Sequence, residues 1–224
     1  MRTAAILPVK SFARAKQRLA ASIEDRLRLA LAAAMVGDVL AALAATQGIA
    51  RTFVVTREPE AARAARACGA SVISDGQEEG QSAAASLGIA AALDAGYERV
   101  LCVPGDCPAL DPRELASLLC RRSRRPEVVV LPDRHGAGTN GLLLTPPDAI
   151  APSFGPGSRE RHVALAAAAG ADCSVEALPS LTLDVDTGED LAALRDLLAG
   201  IEDRAPRTRA VLGAPARPPV AGRS

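Results

Sequence analysis

The chain has 224 residues, of which 49% are hydrophobic, and this length suits a single domain with a buried core. Its 26 basic and 26 acidic residues give a formal net charge of zero, which argues against binding to nucleic acid or to an anionic membrane through bulk charge. Only 2% of the residues are aromatic, which disfavours a stacking surface for single-stranded nucleic acid. We therefore expect neither nucleic acid nor a membrane among the partners.

Short β-branched runs alternate with alanine-rich segments along the chain, which predicts that strands alternate with helices. The predicted strands are 3–9, 51–56, 71–74, 100–103, 127–131, 141–145 and 182–185. The predicted helices start near residues 22, 59, 80, 111, 158 and 187. Ser22 with Asp25, and Thr187 with Asp190, have the spacing of capping boxes at two of these helix starts.

This alternation predicts a single α/β domain over residues 1–200, with a mostly parallel sheet covered by helices on both faces. Residues 201–224 are rich in Arg, Pro, Ala and Gly without an apolar period, which predicts a disordered C-terminal tail. The apolar segment 27–45 carries Arg28 and Asp38, so we interpret it as a buried helix rather than a membrane span.

The five cysteines indicate reduced thiols in a cytoplasmic protein. Their number is odd and no two of them have the C-x-x-C spacing. The first apolar run, residues 4–9, is too short for a signal peptide. We therefore expect the protein in the cytoplasm.

A cluster of cations follows the first predicted strand: Lys10, Arg14, Lys16 and Arg18. Lys10 and Lys16 are the only lysines in a chain whose other basic residues are all arginine. Lysine is a mobile point charge that suits a polyphosphate. A solvated basic face is the alternative, and we favour the phosphate-binding role.

Three aspartates are predicted to hold a metal ion. Asp106 follows a hydrophobic strand in a Pro-Gly turn, and Asp184 and Asp186 lie two residues apart in a predicted strand, where they would point to the same side. Carboxylates are the hard ligands that Mg²⁺ prefers, and a cation relieves the repulsion between them. The alternatives are a turn-fixing role for Asp106 and a helix-entry role for Asp186.

Two glycine-rich loops are predicted to bind an anion. Residues 132–141 include Thr139, and residues 154–159, which open a helix, include Gly155 and Ser158. The two histidines, His135 and His162, are expected to be polar loop and helix residues, because phosphoryl-type transfer needs positioning and metal more than a base.

Five motifs occur in the order LPVKSF, PGDCPAL, GTNGL, FGPGS and LDVDT, across about residues 1–200. This ordered set resembles the guanylyltransferase family of coenzyme F420 biosynthesis, which acts on phosphoenolpyruvate or 2-phospho-L-lactate. The resemblance implies a nucleotide-diphospho-sugar transferase-like, Rossmann-like fold. It also implies that GTP and phosphoenolpyruvate give enolpyruvoyl-2-diphospho-5′-guanosine and pyrophosphate.

The resemblance assigns roles to residues of this chain. It implies that Thr139, Gly155 and Ser158 bind phosphoenolpyruvate, and that Asp106, Asp184 and Asp186 bind Mg²⁺. It further implies that the segment of Lys10, Arg14 and Lys16 binds the phosphates of GTP, and that Lys10, Lys16 and Asp106 are the catalytic residues. Where the family has a Gly-Leu-Asn stretch this chain has Gly80-Gln81-Ser82, and Ser86 one turn later is the nucleotide-binding candidate.

Alternatives to this function remain open. The acceptor could be 2-phospho-L-lactate or 3-phosphoglycerate, since small groups distinguish these acids. A molybdenum-cofactor or sugar-phosphate nucleotidyltransferase would begin with a glycine-rich loop, where this chain has Lys10-Ser-Phe-Ala-Arg14. The spacing of Asp184 and Asp186 also fits a glycosyltransferase, and a non-catalytic nucleotide-binding regulator is the non-enzyme alternative. An unstable product implies transfer to a downstream enzyme of the pathway.

Overall fold

The computed structural model describes residues 1–14, 16–121 and 126–213. Its strands are Thr3–Val9 (β1), Ile49–Thr56 (β2), Ser71–Ser74 (β3), Arg99–Cys102 (β4), Glu127–Pro132 (β5), Thr139–Thr145 (β6) and Asp172–Val175 (β7). Its α-helices are Asp25–Ala45 (α1), Pro59–Ala67 (α2), Gln81–Asp94 (α3), Pro112–Leu119 (α4), Ser158–Ala168 (α5), Gly188–Ala199 (α6) and Pro206–Gly213 (α7). Short 3₁₀ helices span Gln17–Ala21 and Pro179–Leu181.

The strands form one sheet in the order β3-β2-β1-β4-β6-β5-β7. Strand β6 pairs antiparallel with both β4 and β5, and the other pairings in the sheet are parallel. The predicted α/β fold with a mostly parallel sheet is therefore confirmed, with β6 as the reversed strand.

Helices cover both faces of the sheet, and β1 is buried between them. Ala5 and Leu7 pack on the side of α1 and α4, whereas Ala4 and Ile6 pack on the side of α3. A strand that is buried on both faces is apolar at consecutive positions, as this run is. Gly88 lets α3 approach closely, because a Cβ at that position would lie 2.4 Å from the Cγ2 of Ile6.

The prediction of a strand at residues 182–185 is wrong. These residues are irregular, and Leu183 and Val185 pack with Leu191 and Leu194 of α6. Strand β7, which pairs with β5 at one edge of the sheet, was not predicted. Most of β7 is exposed, so it lacks the apolar alternation by which strands are recognised.

One of the two predicted capping boxes is present. Asp190 accepts a hydrogen bond from the backbone N–H of Thr187 at 2.8 Å, and the Thr187 hydroxyl accepts one from the N–H of Asp190 at 3.2 Å. The box predicted at Ser22 and Asp25 is wrong, because α1 starts after Glu24 without a side-chain cap. Ser22 instead ends the preceding 3₁₀ helix.

The predicted disordered tail contains an ordered helix. Helix α7 packs along α1, and residues 214–224 of the predicted tail lie outside the described residues. The carboxylate of Asp38 in α1 accepts the backbone N–H groups of Arg207 at 3.1 Å and Thr208 at 2.8 Å. Asp38 is only 3% exposed, so this buried contact caps the first turn of α7.

Helix α1 is long and apolar enough to span a membrane by length and composition, and no other helix in the described ranges is. However, 67% of its apolar window is buried inside the fold. This burial is typical of a core helix and agrees with the interpretation made from Arg28 and Asp38.

Candidate active site

A cavity of about 260 Å³ opens at the edge of the sheet where β1, β3 and β4 end. Strand β6 runs in the opposite direction, so its first residues, Thr139 and Asn140, reach the same edge and line the cavity. The cavity therefore lies at the carboxyl ends of the parallel strands, where open α/β sheets bind ligands.

The loop after β1 brings Lys10 and Arg14 to the cavity, and both side chains are exposed. Glu78, which sequence analysis missed, holds this loop by accepting the backbone N–H of Ser11 at 3.0 Å and the guanidinium of Arg14 at 3.1 Å. The hydrogen bond from Ser11 is the main reason why the pKa of Glu78 is lowered. The contact spans 64 residues between Arg14 and Glu78, so no local pattern reveals it.

Lys16 contacts carboxylates instead of extending freely into the cavity. Its ammonium lies against Asp106 and 2.7 Å from the Oδ1 of Asp186, and its side chain is 8% exposed. Burial lowers the pKa of Lys16, but the charges and hydrogen bonds of the two carboxylates outweigh burial and raise it. The ammonium therefore stays charged, and it contacts carboxylates where a contact with the phosphates of GTP was predicted.

The turn after β4 presents Asp106 to the cavity, as predicted from its position after a hydrophobic strand. A Cβ on Gly105 would lie 2.9 Å from the Cγ2 of Val36, so glycine allows this turn to pack against α1. The Oδ1 of Asp106 is buried and has no hydrogen-bond partner among the described residues.

Asp184 and Asp186 line the same cavity, although the strand from which their common orientation was predicted does not exist. The backbone N–H of Val185 donates to the carbonyl of Asp106 at 3.2 Å, which ties this segment to the turn after β4. Asn140 donates to the Oδ1 of Asp184 at 3.1 Å. Burial and the charge of Asp106 raise the pKa of Asp184, and the hydrogen bond from Asn140 opposes that rise.

Magnesium binding at these aspartates remains a prediction. In the described part of the chain, no group of three or more His, Cys, Asp or Glu side chains is arranged to hold a metal ion. The chemistry nevertheless fits a cation. The site offers hard oxygen donors, Asp106 keeps a buried oxygen without a partner, and an ammonium already lies between Asp106 and Asp186.

The three residues predicted to bind the acid substrate lie in two neighbouring segments. Thr139 lines the cavity, whereas Gly155 and Ser158 do not. Gly155 is exposed with a φ of 110°, and Ser158 is buried at the start of α5. His162 connects the two segments; it lies on α5, as predicted, and it is fully buried. His135 is exposed in its loop, as predicted.

Ser86 does not reach the cavity. It is exposed on α3, where its hydroxyl donates to the carbonyl of Ser82 at 3.0 Å. The residues of this region that do line the cavity include Asp75 after β3 and Gln81 and Ala84 in the first turn of α3. Asp75 follows its strand as Asp106 follows β4, so the same sequence signal identifies it.

The chain matches the family model described as guanylyl transferase CofC like over residues 3–206. It is 50% identical over 213 residues to the phosphoenolpyruvate guanylyltransferase of Conexibacter woesei, a match that covers 95% of this chain and 96% of that protein. The protein of the same name from Streptomyces coelicolor is 40% identical over 207 residues, covering 92% of this chain and 93% of that protein.

Solved structures share the fold at low sequence identity. A protein of Desulfovibrio desulfuricans G20 described as a nucleotide-diphospho-sugar transferase superposes with a TM-score of 0.74 and 17% identity over 95% of each chain. CMP:2-keto-3-deoxy-manno-octonic acid synthetase complexed with CTP gives a TM-score of 0.60 and 13% identity over 89% of this chain and 99% of that one. These similarities confirm the predicted fold type.

Proposed function

The chain belongs to the CofC-like guanylyl transferase family, and on this premise we propose that it transfers the guanylyl group of GTP to phosphoenolpyruvate, with release of pyrophosphate. One observation carries the proposal: a single cavity at the edge of the sheet brings together both lysines and three of the aspartates that the sequence singles out, from distant parts of the chain, namely Lys10, Lys16, Asp106, Asp184 and Asp186. Charges that are fixed in place before the reaction stabilise the charge that develops during phosphate transfer.

The choice of acceptor rests on the relatives. Phosphoenolpyruvate is the substrate in the names of the curated proteins that are 50% and 40% identical to this chain. 2-Phospho-L-lactate and 3-phosphoglycerate carry the same phosphate and carboxylate groups, so they are the acceptors against which the proposal is tested.

In the proposed reaction, a phosphate oxygen of the acceptor attacks the α-phosphorus of GTP. The bond from that phosphorus to the oxygen that bridges it to the β-phosphorus breaks, and pyrophosphate leaves. The attacking oxygen is already an anion, so the step needs no general base. This requirement agrees with the lining of the cavity, which includes neither His135 nor His162.

The cations of the loop after β1 have separate tasks in this proposal. Lys10 and Arg14 are exposed at the cavity and bind the β- and γ-phosphates. Lys16, held between Asp106 and Asp186, keeps a positive charge beside the transferred group. Its contacts hold the ammonium in one place, so little reorganisation is needed when charge develops on the phosphates.

Asp106, Asp184 and Asp186 are the residues that would hold a magnesium ion, which would reduce the repulsion between the two phosphate groups. The hydrogen bond from Asn140 at 3.1 Å fixes the orientation of the Asp184 carboxylate. Thr139 supplies a hydroxyl for the acid substrate. The loop at Gly155 and the start of α5 at Ser158 form the segment that His162 connects to Thr139.

We assign the reaction to the cytoplasm, in coenzyme F420 biosynthesis, with the product passed to a downstream transferase. The five cysteines are all free, which suits a reducing compartment.

The experiment is to incubate the protein with GTP, magnesium and each of the three acids, and to identify products by mass while measuring pyrophosphate. We expect a guanylylated product with phosphoenolpyruvate. Asp106→Asn should lower kcat/KM at least about 100-fold, a loss typical of removing one stabilising group from such a site. Ser86→Ala, outside the cavity, is the matched control. Nucleotide binding without pyrophosphate release would favour a regulator and contradict the proposal.

A further inference from the structure

His162 joins strand β6 to the loop that precedes α5. Its Nδ1 lies 3.0 Å from the hydroxyl oxygen of Thr139, and its Nε2 accepts the backbone N–H of Ser153 at 2.8 Å. The ring of Phe154 packs edge-on against the imidazole, with 5.3 Å between the ring centroids. The side chain is fully buried, so these contacts hold the imidazole in one orientation.

The contact with Ser153 decides which ring nitrogen carries the proton. A backbone N–H can only donate, so the Nε2 of His162 must carry the lone pair. Burial, together with the charge of Arg161, lowers the pKa of His162 to about 4, so the ring is neutral near pH 7. A neutral imidazole has one N–H group, and it therefore lies on Nδ1, where it donates to the hydroxyl oxygen of Thr139.

This direction of donation determines what the Thr139 hydroxyl can do. The oxygen accepts from His162, so the single hydroxyl proton remains free to be donated elsewhere. Among the residues that the structure describes, this hydroxyl has no hydrogen-bond partner other than the imidazole, which donates to it. Thr139 lines the cavity, so an anion bound there is the acceptor that we expect for this proton.

We propose that His162 is a positioning residue for the acid substrate: its Nδ1–H makes Thr139 a dedicated hydrogen-bond donor to an anionic oxygen of the acceptor. The inference rests on the proposed function, because it assigns that anion to the phosphorylated acid. A hydroxyl whose proton is free binds a charged oxygen more strongly than a hydroxyl that already donates its proton to a neutral neighbour.

The loop does not depend on His162 alone. Arg161 donates to the hydroxyl and to the carbonyl of Ser153, both at 3.0 Å, and to the carbonyl of Phe154 at 3.3 Å. Replacing the imidazole is therefore expected to leave the loop in place, so the effect on Thr139 can be measured separately.

Two isosteric variants separate the two hydrogen bonds of the imidazole. In His162→Asn, the amide nitrogen can take the place of Nδ1 and donate to Thr139. In His162→Gln, the amide oxygen can take the place of Nε2 and accept from Ser153. We expect the KM for phosphoenolpyruvate to stay within about 3-fold of wild type in His162→Asn, and to rise at least about 10-fold in His162→Gln and His162→Phe. The kcat and the KM for GTP should change less than about 2-fold.

Thr139→Val provides the matching test on the other side of the contact. It should raise the KM for the acid at least as much as His162→Phe, because it removes the donating hydroxyl itself. The double variant should be no worse than Thr139→Val, because His162 acts on the acid only through that hydroxyl. His135→Phe, which changes the exposed histidine, is the control. Effects of His162→Phe and Thr139→Val that multiply would mean that His162 only supports the fold, and this would overturn the inference.

A spectroscopic measurement tests the inference without turnover. Nitrogen-15 NMR of the imidazole should show a protonated Nδ1 and an unprotonated Nε2 for His162 near pH 7, and a protonated Nε2 would overturn the inference. The two proposals fail in different ways. A wild-type protein that turns over none of the three acids contradicts the proposed function, whereas normal turnover with an unchanged acid KM in His162→Phe contradicts only the role of His162.

Discussion

Replacing Lys16 with methionine removes the ammonium from the lining of the cavity and keeps most of the side-chain volume. The ammonium contacts Asp106 and Asp186, and the Lys16 side chain is 8% exposed. Removing one partner of a buried ion pair typically costs about 3–5 kcal/mol, because the other charge stays buried without compensation. Half of the Asp186 side chain is exposed, and water compensates that carboxylate in part. We therefore expect a loss near the lower limit, about 3 kcal/mol.

The measurement is the free energy of unfolding from urea titrations of wild type, Lys16→Met and Lys10→Met. Lys10 is the other lysine of the chain and is exposed, so its replacement should change stability by less than about 0.5 kcal/mol. Added magnesium should stabilise Lys16→Met more than wild type, because the variant leaves Asp106 and Asp186 without the ammonium. A Lys16→Met protein as stable as Lys10→Met would refute the assigned contacts.

Three further predictions concern stability. Asp38→Ala should lower the free energy of unfolding by about 2–3 kcal/mol and increase amide exchange in α7, because a buried carboxylate accepts two backbone N–H groups of that helix. Unchanged amide exchange in α7 would contradict this role. The Cβ of Gly88→Ala would lie 2.4 Å from the Cγ2 of the β-branched Ile6, which strains the folded state by about 1–3 kcal/mol. Alanine gains about 1 kcal/mol in helix propensity, so thermal unfolding should show a net loss of up to about 2 kcal/mol, and a stabilised variant would contradict the packing. The unfolded chain titrates His162 near pH 6.5 and the folded chain near pH 4, so the unfolded state binds more protons in between. Stability should therefore fall by up to about 3 kcal/mol as the pH drops through this window, and His162→Gln should lack this component.

Local signals predicted much of the fold and one part of the site. The mostly apolar run of β1 predicted its limits as residues 3–9, as observed, and Pro59 correctly indicated the first turn of α2. Asp106 was identified because a carboxylate that follows a buried strand comes to the edge of the sheet. These features depend on neighbours in sequence, so the local composition and spacing are enough to predict them.

Features that depend on distant contacts were missed. Lys16 lies 90 residues from Asp106 and 170 residues from Asp186, and nothing in its local sequence distinguishes a lysine bound to carboxylates from one that is free for phosphates. Likewise, α7 is fixed by Asp38 across about 170 positions, and the Arg- and Pro-rich composition of its segment hid the helix. The burial of His162 was also missed, because it arises from the packing of α5 and not from the local sequence.

The central claim is that this cavity joins the phosphate of the acid to the guanylyl group of GTP. Its most direct test uses phosphoenolpyruvate labelled with oxygen-18 in all of its phosphate oxygens, together with unlabelled GTP and magnesium. We expect a product with the mass of guanylylated phosphoenolpyruvate that retains every labelled oxygen, and pyrophosphate without label. Label in the pyrophosphate, or hydrolysis of GTP without a guanylylated product, would contradict it.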